Sequence, residues 1–394
     1  MSIRLNIQRE ETKSAIKVVV SITSGQKERL LWYEVPKKFE SYLTQSADPY
    51  VRAILFLAME ANENIEVPGL KLSGSLVRNL EEFQRAWSKW KPSRYNVVHI
   101  EGDIENSPGR PVDDAAISTF TGGVDSSFTL YMNLLKTTKS YLPYPIRSAI
   151  FVHGFDIPLS EKRLFDSSTD EIRKVTHELQ VPLVTLRTNL KEFGAWDDIH
   201  ASAIISCMSL FGNKFNMGIL GSSHPYDYLR FPWGSNPLSD PLLSSDSFKV
   251  INYGGGYSRL EKIDLLSQWN TFNENIRVCT EHYYHNCGNC EKCIRTKLCY
   301  AALNKQVPDT FTDKALSKRK ILGIVAFRKQ EILDYERLRN FGSKHSKQRM
   351  LFKYLNINIL LNRLIQSIIG PRITKSRSPG WVKGLKKVLR SITT

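Results

Sequence analysis

The run Ala115-Ala116-Ile117-Ser118-Thr119-Phe120-Thr121-Gly122-Gly123-Val124-Asp125-Ser126-Ser127, continued by Phe128-Thr129-Leu130-Tyr131-Met132-Asn133-Leu134-Leu135, decides how this chain is read. A short apolar segment with the texture of a buried strand runs into two adjacent glycines and then into a helical pattern from Ser126 to Leu135. Glycines at such a junction let the backbone approach an anion closely, and the free N–H groups of a helix start point at it. Thr121, Ser126 and Ser127 add hydroxyl donors, while Asp125 is suited to hold Mg²⁺ or to orient phosphates. Neither the Walker pattern GxxxxGK[ST] nor the dinucleotide pattern GxGxxG occurs at this loop.

Outward from the loop the same alternation repeats. IRSAIFVHGF (146–155), VPLVTLRT (181–188) and NMGILGSS (216–223) read as strands, with helical segments at Ser160 to Leu179 and Ile199 to Phe211 between them. Buried strands separated by helix-length segments imply right-handed βαβ crossovers and an α/β domain built on a parallel sheet. Ligands of such sheets bind beyond the carboxyl ends of the strands. Residues 1–110 mix AIKVVVSI (15–22), LLWYEV (30–35) and NVVHIEG (96–102) with helical patterns at Tyr50 to Ala61 and Ser75 to Trp90, which predicts a small α+β domain without concentrated chemistry. The Pro, Gly and Asp of Asn106 to Asp114 predict a linker. The expected division is therefore 1–110, 111–310 and a basic helical region, 311–394.

Cys279, Cys287, Cys290 and Cys293 give four thiols, three of them at two-residue gaps, a spacing that suits tetrahedral Zn²⁺. An iron–sulfur cluster is the alternative. Cys207 and Cys299 lie in apolar helical patterns and are expected in the core. A closed set of four thiolates leaves no open coordination position, so the metal is expected to be structural.

The Thr121 to Ser126 loop resembles the S-G-G-x-D-S hallmark of the PP-loop ATP pyrophosphatase superfamily, with Thr121 in place of the first Ser. Loop and cysteine knuckle together resemble the 7-cyano-7-deazaguanine synthase family over residues 115–303. The resemblance implies an adenine-nucleotide alpha-hydrolase-like fold in which Thr121, Gly122, Gly123, Val124, Asp125, Ser126 and Ser127 hold ATP. It also implies cleavage between the α and β phosphates, with pyrophosphate released. Asp125, Ser126 and Lys262 are then the catalytic candidates. Lys262 is the candidate to neutralise phosphate charge with Arg259 as helper, the strand-end residues His153 and Gly221 are further nucleotide-contact candidates, and Arg187, at the end of its strand, either contacts the nucleotide or caps the next helix. The sequence departs from the family at His153-Gly154-Phe155-Asp156-Ile157-Pro158, where an Asp-Tyr-Gly-Gln type segment is usual, and in its extra amino-terminal domain and basic tail. From the loop after the strand at 216–223, Ser223, His224, Asp227 and Trp233 are candidates to line the substrate pocket.

Composition narrows the function further. A chain of 394 residues, 41% apolar and 24% charged, excludes wholesale disorder. The formal charge is +16, but Lys314 to Thr394 carries 20 Lys and Arg against 3 Asp and Glu, leaving 35 basic and 36 acidic residues before it. A neutral body with a cationic appendage argues against a nucleic-acid-reading face. Residues 351–369 are apolar with helical spacing, and beyond Gly370-Pro371 the segment Trp381 to Ile392 is a basic amphipathic pattern suited to an anionic membrane or an acidic partner. No apolar run reaches membrane-spanning length, and MSIRLNIQREETK lacks a secretory apolar region, so a cytosolic protein, peripheral at the inner membrane surface, is expected. The expected function is ATP-dependent C–N ligation, using ATP, Mg²⁺ and Zn²⁺, which adenylates an acyl substrate and passes it to ammonia or an amine. An RNA thiolase of the same fold and a non-catalytic nucleotide-binding protein are the rivals.

Overall fold

The computed structural model describes residues 2–105, 114–136, 142–229, 231–282, 284–326 and 329–373. Its strands are β1 (Ser2–Glu11), β2 (Ala15–Ser24), β3 (Lys27–Pro36), β4 (Asn64–Ser73), β5 (Ile100–Glu105), β6 (Ala116–Thr119), β7 (Ile146–His153), β8 (Leu183–Thr188), β9 (Met217–Gly221) and β10 (Lys249–Tyr253). Its helices are α1 (Asp48–Ala61), α2 (Gly74–Trp90), α3 (Val124–Leu130), α4 (Lys162–Glu178), α5 (Trp196–Ser209), α6 (Arg259–Leu266), α7 (Asn270–Asn275), α8 (Glu291–Ala302), α9 (Lys318–Leu322), α10 (Lys329–His345) and α11 (Arg349–Ile373). The chain is thus α/β with a large, mostly parallel sheet, compatible with a Rossmann-like domain.

The strands form one sheet in the order β10-β9-β6-β7-β8-β3-β2-β1-β4-β5. From β10 to β8 every pairing is parallel. β6, β7 and β9 are buried along nearly their whole length, as apolar strands covered on both faces must be. After β6 the chain steps to β7 and β8 on one side, then returns to β9 and β10 on the other. Strand order therefore reverses between β6 and β9, and it is beyond the carboxyl ends of strands at such a reversal that sheets of this kind bind ligands.

The expected boundary near residue 110 does not divide this sheet. β3 joins β8 antiparallel through Tyr33 opposite Thr188 and Glu34 opposite Arg187. Compact units instead comprise Met1–Thr121 with Asp125–Gly256, and Gly122–Val124 with Tyr257–Thr394. Of the expected linker only Asp114 lies within the described residues, where its Oδ1 accepts a hydrogen bond from Asn216 Nδ2 at 2.8 Å. In the first unit α1 and α2 bury an aromatic cluster in which Phe56 meets Trp87 and Tyr95 at centroid separations of 4.8 and 5.2 Å.

The second unit contains α6 to α11. Asn358 of α11 donates to the carbonyls of Leu322 and Ile324 at 3.0 and 2.8 Å, and Asn362 Oδ1 accepts the Ala326 N–H at 2.8 Å, fixing the stretch after α9 onto α11. α11 continues through Gly370-Pro371, where the sequence predicted a break, and ends at Ile373. The segment Trp381 to Ile392 lies outside the described residues. Among the described residues no helix is long and apolar enough to cross a membrane.

Candidate functional site

The loop after β6 is built by its own side chains. Gly122 has φ +75°, and a Cβ there would meet the aliphatic part of Arg277 at 3.3 to 3.5 Å. The Arg277 N–H donates to the Gly122 carbonyl at 2.9 Å. Ser126 Oγ accepts the Thr121 N–H at 3.2 Å and lies 3.4 Å from Thr121 Oγ1, so the serine folds the loop back on itself. Ser126 and Ser127 are buried, whereas Thr121, Gly123 and Asp125 keep partial access to solvent. One residue, Gly123, separates Gly122 from the start of α3, and a left-handed residue close to a helix start helps turn successive N–H groups toward one side, an arrangement that attracts anions. Gly221, at the end of β9, backs this turn: a Cβ on it would stand 2.7 Å from the Asp125 carbonyl oxygen.

The other expected contacts divide. His153 is fully buried, stacked on Phe165 at 4.4 Å, and its Nε2 donates to the Pro158 carbonyl at 2.8 Å; burial pushes its pKa down, so the ring is neutral. Arg187 spends its guanidinium on Glu34 Oε1 at 2.7 Å and lies 6.0 Å from the Trp32 ring. Both side chains serve the sheet interior and the β3–β8 seam, and neither is brought to the loop by any of these contacts. Arg259 donates to Thr296 Oγ1 at 3.1 Å, and Lys262 is buried on α6, with both residues in the second unit.

Among the substrate candidates His224 and Trp233 come together, rings edge to face at 5.8 Å. Trp233 in turn meets His200 at 5.1 Å, His200 meets Trp196 at 6.0 Å and Trp196 meets Phe155 at 4.8 Å, an unbroken aromatic row in the first unit. Burial lowers the His200 pKa, so this ring is neutral as well. Ser223 and Asp227 are exposed, and Arg230 lies outside the described residues. The loop beyond Trp233 is tied by Asp240, whose carboxylate accepts from Ser235 Oγ (2.7 Å), the Asn236 N–H (3.0 Å) and Asn252 Nδ2 (2.8 Å).

The four knuckle sulfurs all lie within 4.8 Å of one another, and Cys279 and Cys290 are 3.8 Å apart. Four sulfurs at Zn–S distances near 2.3 Å stand about 3.8 Å from each other, so the cluster could hold a metal such as zinc. N–H groups of His282, Asn289 and Cys290 point at Cys279 and Cys287 sulfurs at 3.2, 3.4 and 3.3 Å, as donors to thiolates do. The hydrogen bond between Cys293 and Cys290 brings the Cys290 pKa down while that of Cys293 rises. Cys207 and Cys299 are buried outside the cluster, and burial raises both thiols.

Three supporting residues escaped the sequence reading. Asn286 Oδ1 accepts the N–H groups of Val278 and Cys279 at 2.8 and 3.1 Å while its Nδ2 donates to Ile276 O at 2.7 Å, clamping the two arms of the knuckle. Gly288 has φ +72°, and a side chain there would collide with the Asp313 carbonyl. Lys297, one helical turn after Cys293, is fully buried and donates to the carbonyls of Asp313 and Ala315 at 2.9 and 2.8 Å; burial lowers its pKa to about 8. Only Gly288, in Cys-Gly-Asn-Cys, carried a local signal. Comparison of the chain with models of protein families, with curated proteins and with solved structures gives no match.

Proposed function

We propose that this chain is an ATP-dependent ligase of the PP-loop type, resembling the 7-cyano-7-deazaguanine synthase family, that activates an acyl substrate and transfers it to ammonia or an amine. The observation that carries the reading is the Thr121 to Ser127 loop, with its left-handed Gly122, at the carboxyl end of the strand where sheet order reverses. Its N–H groups and hydroxyls hold the terminal phosphates of ATP, and Asp125 holds the Mg²⁺ that accompanies them. A substrate carboxylate oxygen then attacks the α-phosphorus, pyrophosphate departs, and the amine attacks the acyl carbon and expels AMP. Lys262, which shares its compact unit with Gly122–Val124, is assigned the neutralisation of phosphate charge, with Arg259 beside it in sequence. Ser223, His224, Asp227 and Trp233 are assigned the substrate contacts, and His224 and Trp233 meet in the loop that follows β9.

A zinc ion in the Cys279, Cys287, Cys290 and Cys293 cluster would be structural, because four thiolates leave no position for substrate. The rival RNA thiolase needs an accessible thiol for sulfur transfer. Cys207 and Cys299 are buried, and a metal in the cluster would occupy the other four cysteines, which weighs against that rival. The test is product analysis of ATP turnover with candidate acids and ammonia. AMP and pyrophosphate are expected; ADP as the main product removes the adenylation mechanism, and no turnover with tight ATP binding favours the non-catalytic rival.

A further inference from the structure

α11 buries Phe352, Leu355, Asn358, Ile359 and Asn362 within the second unit. On its other side Met350, Ile357, Leu360, Leu361 and Leu364 are between 46% and 59% exposed. At helical spacing these five side chains fall within an arc of about 100°, so they form one apolar strip more than two turns long. Lys353 lies within the strip, and Arg349 and Arg363 lie beside it. No Asp or Glu occurs anywhere from Arg349 to Ile373. Glu336 on α10 pairs with Arg363 at 2.5 Å.

An exposed aliphatic strip on a helix that carries cations and no carboxylate of its own matches one kind of surface. We propose that this face of α11 docks on an anionic lipid membrane, with the leucines entering the interface and Arg349 and Lys353 meeting the headgroups. A second copy of the same face would bring cations against cations with no carboxylate to answer them. Single-stranded RNA is held by aromatic platforms, and none of the five strip residues is aromatic. The assignment moves the membrane contact from the far carboxyl-terminal segment to a helix whose inner side is anchored in a folded core. It is independent of the ATP chemistry.

The experiment is co-sedimentation of the full chain with vesicles of phosphatidylcholine mixed with phosphatidylglycerol, and with vesicles of phosphatidylcholine alone, at low and high salt. Binding to the mixed vesicles that weakens at high salt is expected. The exposed double variant Leu360→Glu with Leu364→Glu should lose at least about tenfold in binding, since it removes apolar contact and adds repulsion. Its melting temperature should match that of the wild type, because neither side chain is in the core. Lys353→Gln should bind less at low salt and equally at high salt. Unchanged binding by the leucine variant overturns the proposal and returns the contact to residues beyond 373. A wild type that ignores both vesicles also overturns it, as does a drop in oligomeric mass in the leucine variant, which would show a second copy on this face. Binding of polyuridylate that the leucine variant loses would assign the face to RNA instead.

Discussion

Gly221 sits where a single carbon decides whether the loop keeps its shape. A Cβ at this position would lie 2.7 Å from the Asp125 carbonyl oxygen and 3.2 Å from the Ser126 N, both backbone atoms that cannot swing aside. Gly221→Ala should therefore displace the start of α3, costing about 1–3 kcal/mol of stability and, if the loop holds ATP, about a hundredfold in turnover through misplacement of the phosphates. Thermal melts and pyrophosphate release measure the two effects separately. Asp125→Ala is the complementary change, since it adds no clash with the backbone and removes the proposed Mg²⁺ ligand; turnover should vanish while the chain still folds, as a cooperative thermal melt would show. Normal turnover in that variant would refute the site. Lys297 makes the opposite case, a charged group used for structure. Lys297→Met removes a buried ammonium's hydrogen bonds to the carbonyls of Asp313 and Ala315, of which the second keeps its bond from Lys320 Nζ at 3.0 Å, so stability should fall by about 1–3 kcal/mol, measurable in denaturant melts. The glycines at 122 and 123 were legible because a doublet between strand and helix has few other uses. The pairing of Arg187 with Glu34 was not, because the two are 153 positions apart and become neighbours only through the β3–β8 ladder.

At the scale of elements, the knuckle and the loop closing on Asp240 respond to different variables. Metal binding to four thiolates is coupled to folding. Elemental analysis should give one zinc per chain, and a chelator or Cys290→Ser should lower the melting temperature by about 10 °C or more; iron with acid-labile sulfide would identify a cluster instead. The Asp240 loop should respond to pH. Burial pushes the Asp240 carboxyl up to about 6 from an ordinary value of 3.8, so the folded chain holds its proton more tightly than the unfolded one. Its stabilisation is thus complete below the ordinary value and is lost as pH rises through about 6, a difference of roughly 3 kcal/mol. Asp240→Asn, which imitates the protonated group, should flatten stability over that interval, and melts at several pH values compare the two slopes. Elements with strong periodicity, such as α2 and β2, were legible in the sequence. β4 was hidden because Pro68-Gly69 reads as a turn, whereas in the sheet it is an irregularity, the register shifting between Val67 and Lys71.

Across the whole molecule the alternation of strands and helices from β6 onward was readable, because each unit repeats a local pattern. The union of the amino-terminal strands with that sheet was not, since it depends on pairing between residues more than 150 positions apart. Besides the β3–β8 ladder, the two parts share Tyr33 OH against Ser206 Oγ at 2.8 Å, the buried Arg52 donating to Leu243 O at 2.8 Å, and Tyr95 OH donating to the buried carboxylate of Asp198 at 2.8 Å. One continuous apolar cluster runs from Ile3 to Val250. A chain cut to begin at residue 114 would therefore expose the β8 edge, the packed face of α5 and a buried carboxylate at once. Two folding domains joined by a linker would tolerate the cut; a shared core would not. The truncated chain should lack a cooperative thermal transition and aggregate, whereas the full chain should unfold its first unit in one step. A sharp, reversible melt of the 114–394 fragment, followed by circular dichroism, would show that the sheet holds a separable domain after all.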